Sequence, residues 1–437
     1  MISMNYISLN HNAKKVNFEN ALINGLAPDK GLYFPEYIPK LSTKLFKNID
    51  NISNNEIAYK VIKPFVGNCV DKNNLIKIIE DTLSFEFPLK QINNLIYSLE
   101  LFHGPTLAFK DVGARFMARF LGYINEKKRN KKITVLVATS GDTGGAVASG
   151  FNNIEGIDVV ILYPKNKVSK IQEKQLTTLG NNINALEVDG DFDDCQNMAK
   201  NIFIDNQINN EIDITSANSI NIGRWLPQTF YYFFAYKEMF KRGLVDKKIV
   251  FSVPSGNYGN ICAGLLSKLI GLPINHFISS TNINNVVPIF LKTGKYKPKK
   301  TIQTISNAMD VGNPSNFIRI QNLYNNDFYK LKKIMSGYYF SDSETRDEIY
   351  NIFKKHNYIL DPHGAIGYLG LKKFLSSNEN YFGVFLETAH PIKFLEIVEK
   401  KIKEKIPVPK QIKNILNKNG TKTPISNYNE LKSFLLK

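Results

Sequence analysis

From residue 104 onward, short uncharged runs rich in β-branched residues alternate with helical stretches, and this alternation narrows the fold more than any other feature. Ile133–Ala138 reads as a buried strand, as do 159–163, 184–188, 249–253 and 383–386. Between them, 114–125, 169–179 and 228–241 carry apolar residues at helical spacing. Strands without a polar face, separated by helices, predict parallel sheets covered on both sides. The fold class is therefore α/β. The first hundred residues are less regular. They hold a turn at Ala27-Pro28-Asp29-Lys30-Gly31, the apolar Leu32-Tyr33-Phe34, and helical spacing over Asn54–Val66 and 73–83. A chain of 437 residues has room for two or three domains, drawn here as 1–95, 96–240 and 241–437.

In an open parallel sheet, ligands gather beyond the carboxyl ends of the strands. After Ile133–Ala138 comes Thr139-Ser140-Gly141-Asp142-Thr143-Gly144-Gly145. Its glycines let backbone N–H groups approach an anion, the following helix adds its dipole, and Ser140 and Thr143 add hydroxyls. The bland alternative is a capped βα turn. After 249–253 comes Pro254-Ser255-Gly256-Asn257-Tyr258-Gly259-Asn260, again suited to a phosphate. It matches neither a Walker A loop nor G-x-G-x-x-G. After 383–386 comes Glu387-Thr388-Ala389-His390-Pro391, where Thr388 could reach a ring nitrogen or simply cap a turn. Outside this series, Asn218, Ser219 and Arg224 offer an amide, a hydroxyl and a planar cation that could grip a second phosphate. Finally, Phe102-His103-Gly104-Pro105-Thr106-Leu107-Ala108-Phe109-Lys110-Asp111 sets one lysine among apolar and aromatic neighbours. Desolvation there favours a neutral amine, able to form a Schiff base with an aldehyde cofactor.

Bulk properties exclude other classes. The formal charge of +17 is spread thinly through a Lys-, Asn- and Ile-rich chain. The densest runs, 127–132 and 295–300, read as solvated loops; Tyr296 is the single aromatic beside them, too little for stacking bases, so no nucleic-acid partner is expected. Cys69, Cys195 and Cys262 are distant and odd in number, and the six histidines show no H-x-x-x-H spacing. Neither a disulfide framework nor a metal site is expected, and a reducing, cytoplasmic setting follows. Residues 1–6 lack a leader pattern, and no apolar run approaches a membrane span.

Taken together, the motifs resemble those of the threonine synthase family, pyridoxal-phosphate enzymes of fold type II in the tryptophan-synthase-β group. The resemblance spans nearly the whole chain. It begins with Gly25-Leu26-Ala27-Pro28-Asp29-Lys30-Gly31-Leu32-Tyr33-Phe34-Pro35, and continues through the Lys110 segment, TSGDTG, NSINIGR, SGNYGN, DPHGAIGY (residues 361–368) and ETAHP in the family's order. It implies two open parallel-sheet domains with helices on both faces, preceded by an N-terminal α/β segment. The middle domain would carry the Schiff-base lysine and substrate-phosphate loops, and the last the cofactor-phosphate loop. Lys110 would bind pyridoxal 5'-phosphate, with Gly256, Asn257, Tyr258, Gly259 and Asn260 around its phosphate. Thr388 would face the pyridine nitrogen. Asp142 would lie near the 3' oxygen, where many relatives carry Asn. Ser140, Thr143, Asn218, Ser219 and Arg224 would hold the substrate, and His363 would stand within reach of it. Tyr258 stands where phenylalanine is common, and Asn260 where many members are acidic.

The reaction so implied is that of a carbon–oxygen lyase: O-phospho-L-homoserine and water give L-threonine and phosphate, with Lys110 moving protons and a mobile domain closing over the substrate. A monomer or homodimer is compatible. Within the same fold, a serine/threonine dehydratase or a catalytically silent relative is the alternative; the set Asn218, Ser219 and Arg224 with the N-terminal signature speaks against the first, and the presence of Lys110 and the glycine loops against the second.

Overall fold

The computed structural model describes residues 4–129 and 132–437. Two sheets dominate. One has five strands, all parallel, in the spatial order Thr423–Ile425, Ile183–Val188, Ile157–Pro164, Ile133–Ala138, Asp213–Ser216. The other has six, in the order Met335–Tyr339, His276–Thr281, Lys248–Pro254, Tyr381–Glu387, Ile96–Glu100, Leu89–Gln91. Only its edge strand Leu89–Gln91 runs antiparallel. A two-stranded antiparallel ribbon, Tyr6–Ser8 with Tyr33–Pro35, belongs to the N-terminal segment. The five strands read from the sequence all form, and their near-complete burial explains why they lack polar alternation.

The sheets are not contiguous stretches of chain. The chain lays Leu89–Gln91 and Ile96–Glu100 into the six-stranded sheet, builds most of the five-stranded one, and then returns. Its last strand, Thr423–Ile425, closes the edge of the five-stranded sheet. Boundaries at 95 and 240 therefore separate sequence stretches but not sheets: 96–100 and 423–425 each pair with the sheet of the other stretch. A crossover that carries strand pairing back across the molecule leaves no mark in composition.

Helix ends follow side-chain chemistry. Ser53 caps Asn54–Val66, as the spacing predicts. Ser169 and Gln172 form a reciprocal capping box at the start of Lys170–Thr177. The helix expected over 114–125 begins earlier, at Lys110 itself, because the Asp111 carboxylate draws in the Thr106 N–H (2.9 Å) and hydroxyl (2.5 Å) and winds the preceding loop onto the first turn. That helix is a central strut. Its Phe120 meets Phe18 of the N-terminal segment edge-on at 4.9 Å between centroids, and its Gly113 touches the Arg224 backbone, where a Cβ would lie 2.4 Å from the carbonyl oxygen.

Of the two basic runs, the first continues through the π-helical turn Asn125–Arg129, and residues 130 and 131 lie outside the described residues. The second is exposed, but Lys299 and Lys300 reach the rim of the central cavity. Among the described residues, Cys69, Cys195 and Cys262 form no disulfide. Among the described residues no helix is long and apolar enough to cross a membrane.

Candidate active site

Lys110 is placed by a clamp between two distant segments. Ala108 and Ala389 form an antiparallel bridge, the Phe109 N–H donates to the Thr388 carbonyl at 2.9 Å, and the His390 N–H donates to the Leu107 carbonyl at 3.0 Å. The lysine at a helix start and the threonine at a strand end thus open onto one cavity of about 510 Å³. Ser140, Thr143, Asn218, Ser219, Arg224, the loop 256–260 and His363 line the same cavity. Twelve of the thirteen site residues expected from the sequence therefore converge; the exception is Asp142, which lies behind the wall.

The two glycine loops are built differently. In the first, the buried Thr139 hydroxyl oxygen accepts from the N–H groups of Gly141 (2.9 Å) and Gly144 (2.8 Å), so side-chain capping fixes the turn. Gly141 has φ +131 and lies against Gln172, leaving no place for a side chain. In the second, Tyr258 adopts a left-handed conformation (φ 63) just before the helix Gly259–Ile270. Its hydroxyl turns inward to Ser279 at 2.6 Å, so Tyr258 can serve an anion only through its backbone. Asn260 is also committed: its Oδ1 accepts from the hydroxyls of Tyr231 and Tyr232, both at 2.8 Å, leaving Nδ2 without a partner. Gly256 packs so closely on Ala308 that a Cβ would lie 2.3 Å from its carbonyl oxygen.

The set Asn218, Ser219 and Arg224 is propped by the N-terminal segment. Asn221 caps the helix Ile222–Trp225, and its amide donates to the Leu22 carbonyl at 2.8 Å. Arg224 is buried, gives one Nη1 bond to the Ala217 carbonyl and leaves Nε without a partner. Burial pulls its guanidinium down to about 10, with Asp111 opposing, so it remains a cation near neutral pH. Ser219 joins the loops: the Asn257 amide donates to its hydroxyl at 2.7 Å and the Asn316 amide at 3.3 Å.

Electrostatics single out Lys110. Its enclosure by protein pulls the amine down to about 8; Asp142 opposes, while Lys393 and Arg224 reinforce the fall. Asp142 answers to three groups. Burial pushes its carboxyl up, but Lys393, Lys110 and hydrogen bonds from Lys393 and Gln172 outweigh burial and hold it well below the usual range.

Further groups lie at or behind the cavity, and of these Arg319 carries no sequence signal. The Ala308 N–H donates to His363 Nε2 at 3.2 Å, which assigns the lone pair to that nitrogen and the proton to Nδ1, bonded to Asp361. Behind them Glu387 is fully buried, and burial, with Asp361 and Glu100 nearby, pushes its carboxyl well up. Arg319, also fully buried, forms no ion pair among the described residues; it stacks on Trp225 at 4.7 Å and donates to Asn316 (2.7 Å), Tyr33 (2.9 Å) and Ile220 (2.6 Å). Only the segment DPHGAIGY hinted at His363.

This donor set fits pyridoxal phosphate. An amine near pH 8 faces the cavity, the loop 256–260 opens a helix N-terminus there, and Arg224 Nε, Asn218 Oδ1 and Asn260 Nδ2 are buried polar atoms of lining residues that have no partner among the described residues. The sequence comparisons agree. The family profile for the threonine synthase N terminus matches residues 5–83, that for pyridoxal-phosphate dependent enzymes matches 85–381, and that for the threonine synthase C-terminal region matches 364–435. The chain is 44% identical over 434 residues to threonine synthase of Buchnera aphidicola subsp. Acyrthosiphon pisum, covering 98% of each. It superposes on the crystal structure of threonine synthase from Escherichia coli with a TM-score of 0.92 at 37% identity, over 99% of both chains. The PLP-bound threonine synthase of Brucella melitensis gives the same TM-score at 32% identity, again over 99% of both chains. The chain belongs to the threonine synthase family of pyridoxal-phosphate-dependent lyases.

Proposed function

We propose that this cavity binds O-phospho-L-homoserine and that the chain converts it, with water, to L-threonine and phosphate. One observation carries the reading: a single cavity joins an easily deprotonated lysine to two separate anion-binding sets, one for a cofactor phosphate and one for a substrate phosphate.

When bound, pyridoxal phosphate supplies an electron sink for charge developing at the substrate Cα. The chain does the rest. Lys110 is its point of attachment and takes the proton from Cα; an amine near pH 8 is partly neutral at working pH and can both accept and return a proton. Backbone N–H groups of 256–260 and the start of Gly259–Ile270 hold the cofactor phosphate. The Thr388 hydroxyl meets the ring nitrogen as a neutral partner. Arg224 grips the substrate phosphate through its free Nε, with Asn218, Ser219, Ser140 and Thr143 completing the shell. Asp142 acts from outside the cavity, through its field at Lys110. One chain carries the full set, whether it works as a monomer or a homodimer, and the lack of a disulfide among the described residues suits the cytoplasm.

A dehydratase needs no second phosphate set, which is why Arg224 separates the readings. With purified protein, released phosphate and threonine should appear one for one. Lys110→Ala should abolish both. Arg224→Met should raise KM for O-phosphohomoserine at least ~10-fold while cofactor content stays intact, as for loss of a charge-assisted contact. Ammonia and a 2-oxo acid in place of threonine would refute the assignment.

A further inference from the structure

We propose that Lys393 is a positioning residue of this site: buried behind Asp142, it orients that carboxylate and partly neutralises it on behalf of Lys110. The inference rests on the functional reading above but uses a group that reading leaves idle.

The Lys393 side chain is fully buried. Its ammonium contacts Asp142 Oδ1 at 2.6 Å and donates to the Thr106 carbonyl at 2.9 Å. Thr106 lies in the loop that delivers Lys110, and its hydroxyl and N–H are already held by Asp111. Gln172 donates to the same Asp142 oxygen at 2.8 Å, while Oδ2 takes no hydrogen bond among the described residues. Two donors on one oxygen fix the rotation of the carboxylate and leave its other oxygen uncommitted. The charges facing this group are few. Lys110 and Arg224 are cationic; Asp111 is buried with its carboxyl pushed up; His390 is driven by burial down to about 4 and stays neutral. Asp142 and Lys393 thus act on Lys110 with opposite signs from adjacent positions. A carboxylate without Lys393 would hold the Lys110 proton too tightly for a base; Lys393 without the carboxylate would repel the proton too strongly for its return.

The test titrates the visible absorbance of the bound cofactor, and the pH profile of kcat/KM, in the holoenzyme of the parent chain, Lys393→Met and Asp142→Asn. Removing the Lys393 charge should move the midpoint up by about one pH unit, tenfold in proton affinity. Removing the Asp142 charge should move it down by a similar amount. A purely structural ion pair would instead lower the unfolding temperature of both variants and leave both midpoints in place; that outcome overturns the proposal. Should Lys393→Met fail to fold, Asp142→Asn decides alone, since an unmoved midpoint there removes the carboxylate through which Lys393 acts. The two readings fail separately. A parent protein without lysine-dependent cofactor absorbance sinks the assigned function, whereas a normal parent with unmoved variants sinks only the role of Lys393.

Discussion

Gly256→Ala tests whether the glycine loop 256–260 and the segment above it are a single rigid unit. A Cβ at 256 would lie 2.3 Å from the Ala308 carbonyl oxygen and 2.8 Å from Met309 Cα. Ordinary C···O contacts begin near ~3.3 Å, so one backbone must retreat by about 1 Å. Neither neighbour is a flexible side chain that could swing away. Overpacking of this kind costs about 1–3 kcal/mol, reduced by a few tenths to about 1 kcal/mol because alanine restricts the unfolded chain. The retreat also drags the Ala308 N–H from His363 and disturbs Asp310, whose carboxylate is held by Thr304 and Asn282. A misplacement of 1 Å in a binding loop is worth roughly 100-fold in rate. Urea unfolding should therefore show a loss of about 1–2 kcal/mol at unchanged slope, and kcat/KM should fall about 100-fold. Gly259→Ala is the contrast within the same loop. Its Cβ would meet nothing nearer than 3.5 Å, so stability should hold or rise slightly with the better helix former. Equal stability and equal cofactor affinity for Gly256→Ala and its parent would refute the packing argument.

Arg319→Met should cost about 3–5 kcal/mol, since it strips donors from two buried acceptors and one half-buried one and removes the stacking on Trp225. In the folded fraction, KM should rise more than kcat falls, because Asn316 and Ser219 lose their anchor; an unchanged KM would break that link. Glu387→Gln should stabilise the protein, increasingly so as pH rises. The Glu387 value lies above its unfolded one of about 4.3, so its contribution is complete below that pH and is lost as pH climbs toward the folded value, at about 1.4 kcal/mol per pH unit between the two. Glutamine imitates the neutral form, and unfolding at pH 5 and pH 8 should show a larger gain at the higher pH. The same gain at both would mean that Glu387 is ionised in the fold.

How far the sequence carries depends on what each element buries. Strands such as Ile133–Ala138 and Lys248–Pro254 declare themselves because both faces are covered by helices. His276–Thr281 does not, although every residue in it is buried. Its hydroxyls are satisfied inside the protein, Ser279 by Tyr258, Ser280 by Ser252 and Thr281 by the Asn282 carbonyl, so three polar letters occupy a core strand. Thr423–Ile425 and Asp213–Ser216 are short edge strands, too brief for any period to emerge. The interruption of one sheet by the other is a matter of which edge a strand joins, and no local pattern encodes that.

The site divides along a different line. Twelve of the thirteen residues expected from the sequence line the cavity; several stand out in glycine- and hydroxyl-rich loops at strand ends, whereas the roles of Tyr258 and Thr388 follow only from the family resemblance. Residues that hold those loops are drawn from stretches that look like core or surface. Lys393 lies two residues past the turn of ETAHP and reads as one more lysine among many; only the fold sets it beneath Asp142. Arg319 sits on the short helix Phe317–Leu323 and resembles a solvated arginine, yet it ties Tyr33 of the N-terminal segment to Ile220 in the loop that carries Asn218 and Ser219. Asn221 and Gly223 press the same loop against Leu22, where a Cβ on Gly223 would lie 2.2 Å from the Leu22 side chain. The N-terminal segment is therefore a structural support of the loop that carries Asn218, Ser219 and Arg224 and not an appendage to it. Damage to its Tyr33 or Leu22 contacts should register first in substrate binding, because the loop that carries Asn218, Ser219 and Arg224 rests on them, whereas Gly256 of the loop 256–260 packs on Ala308.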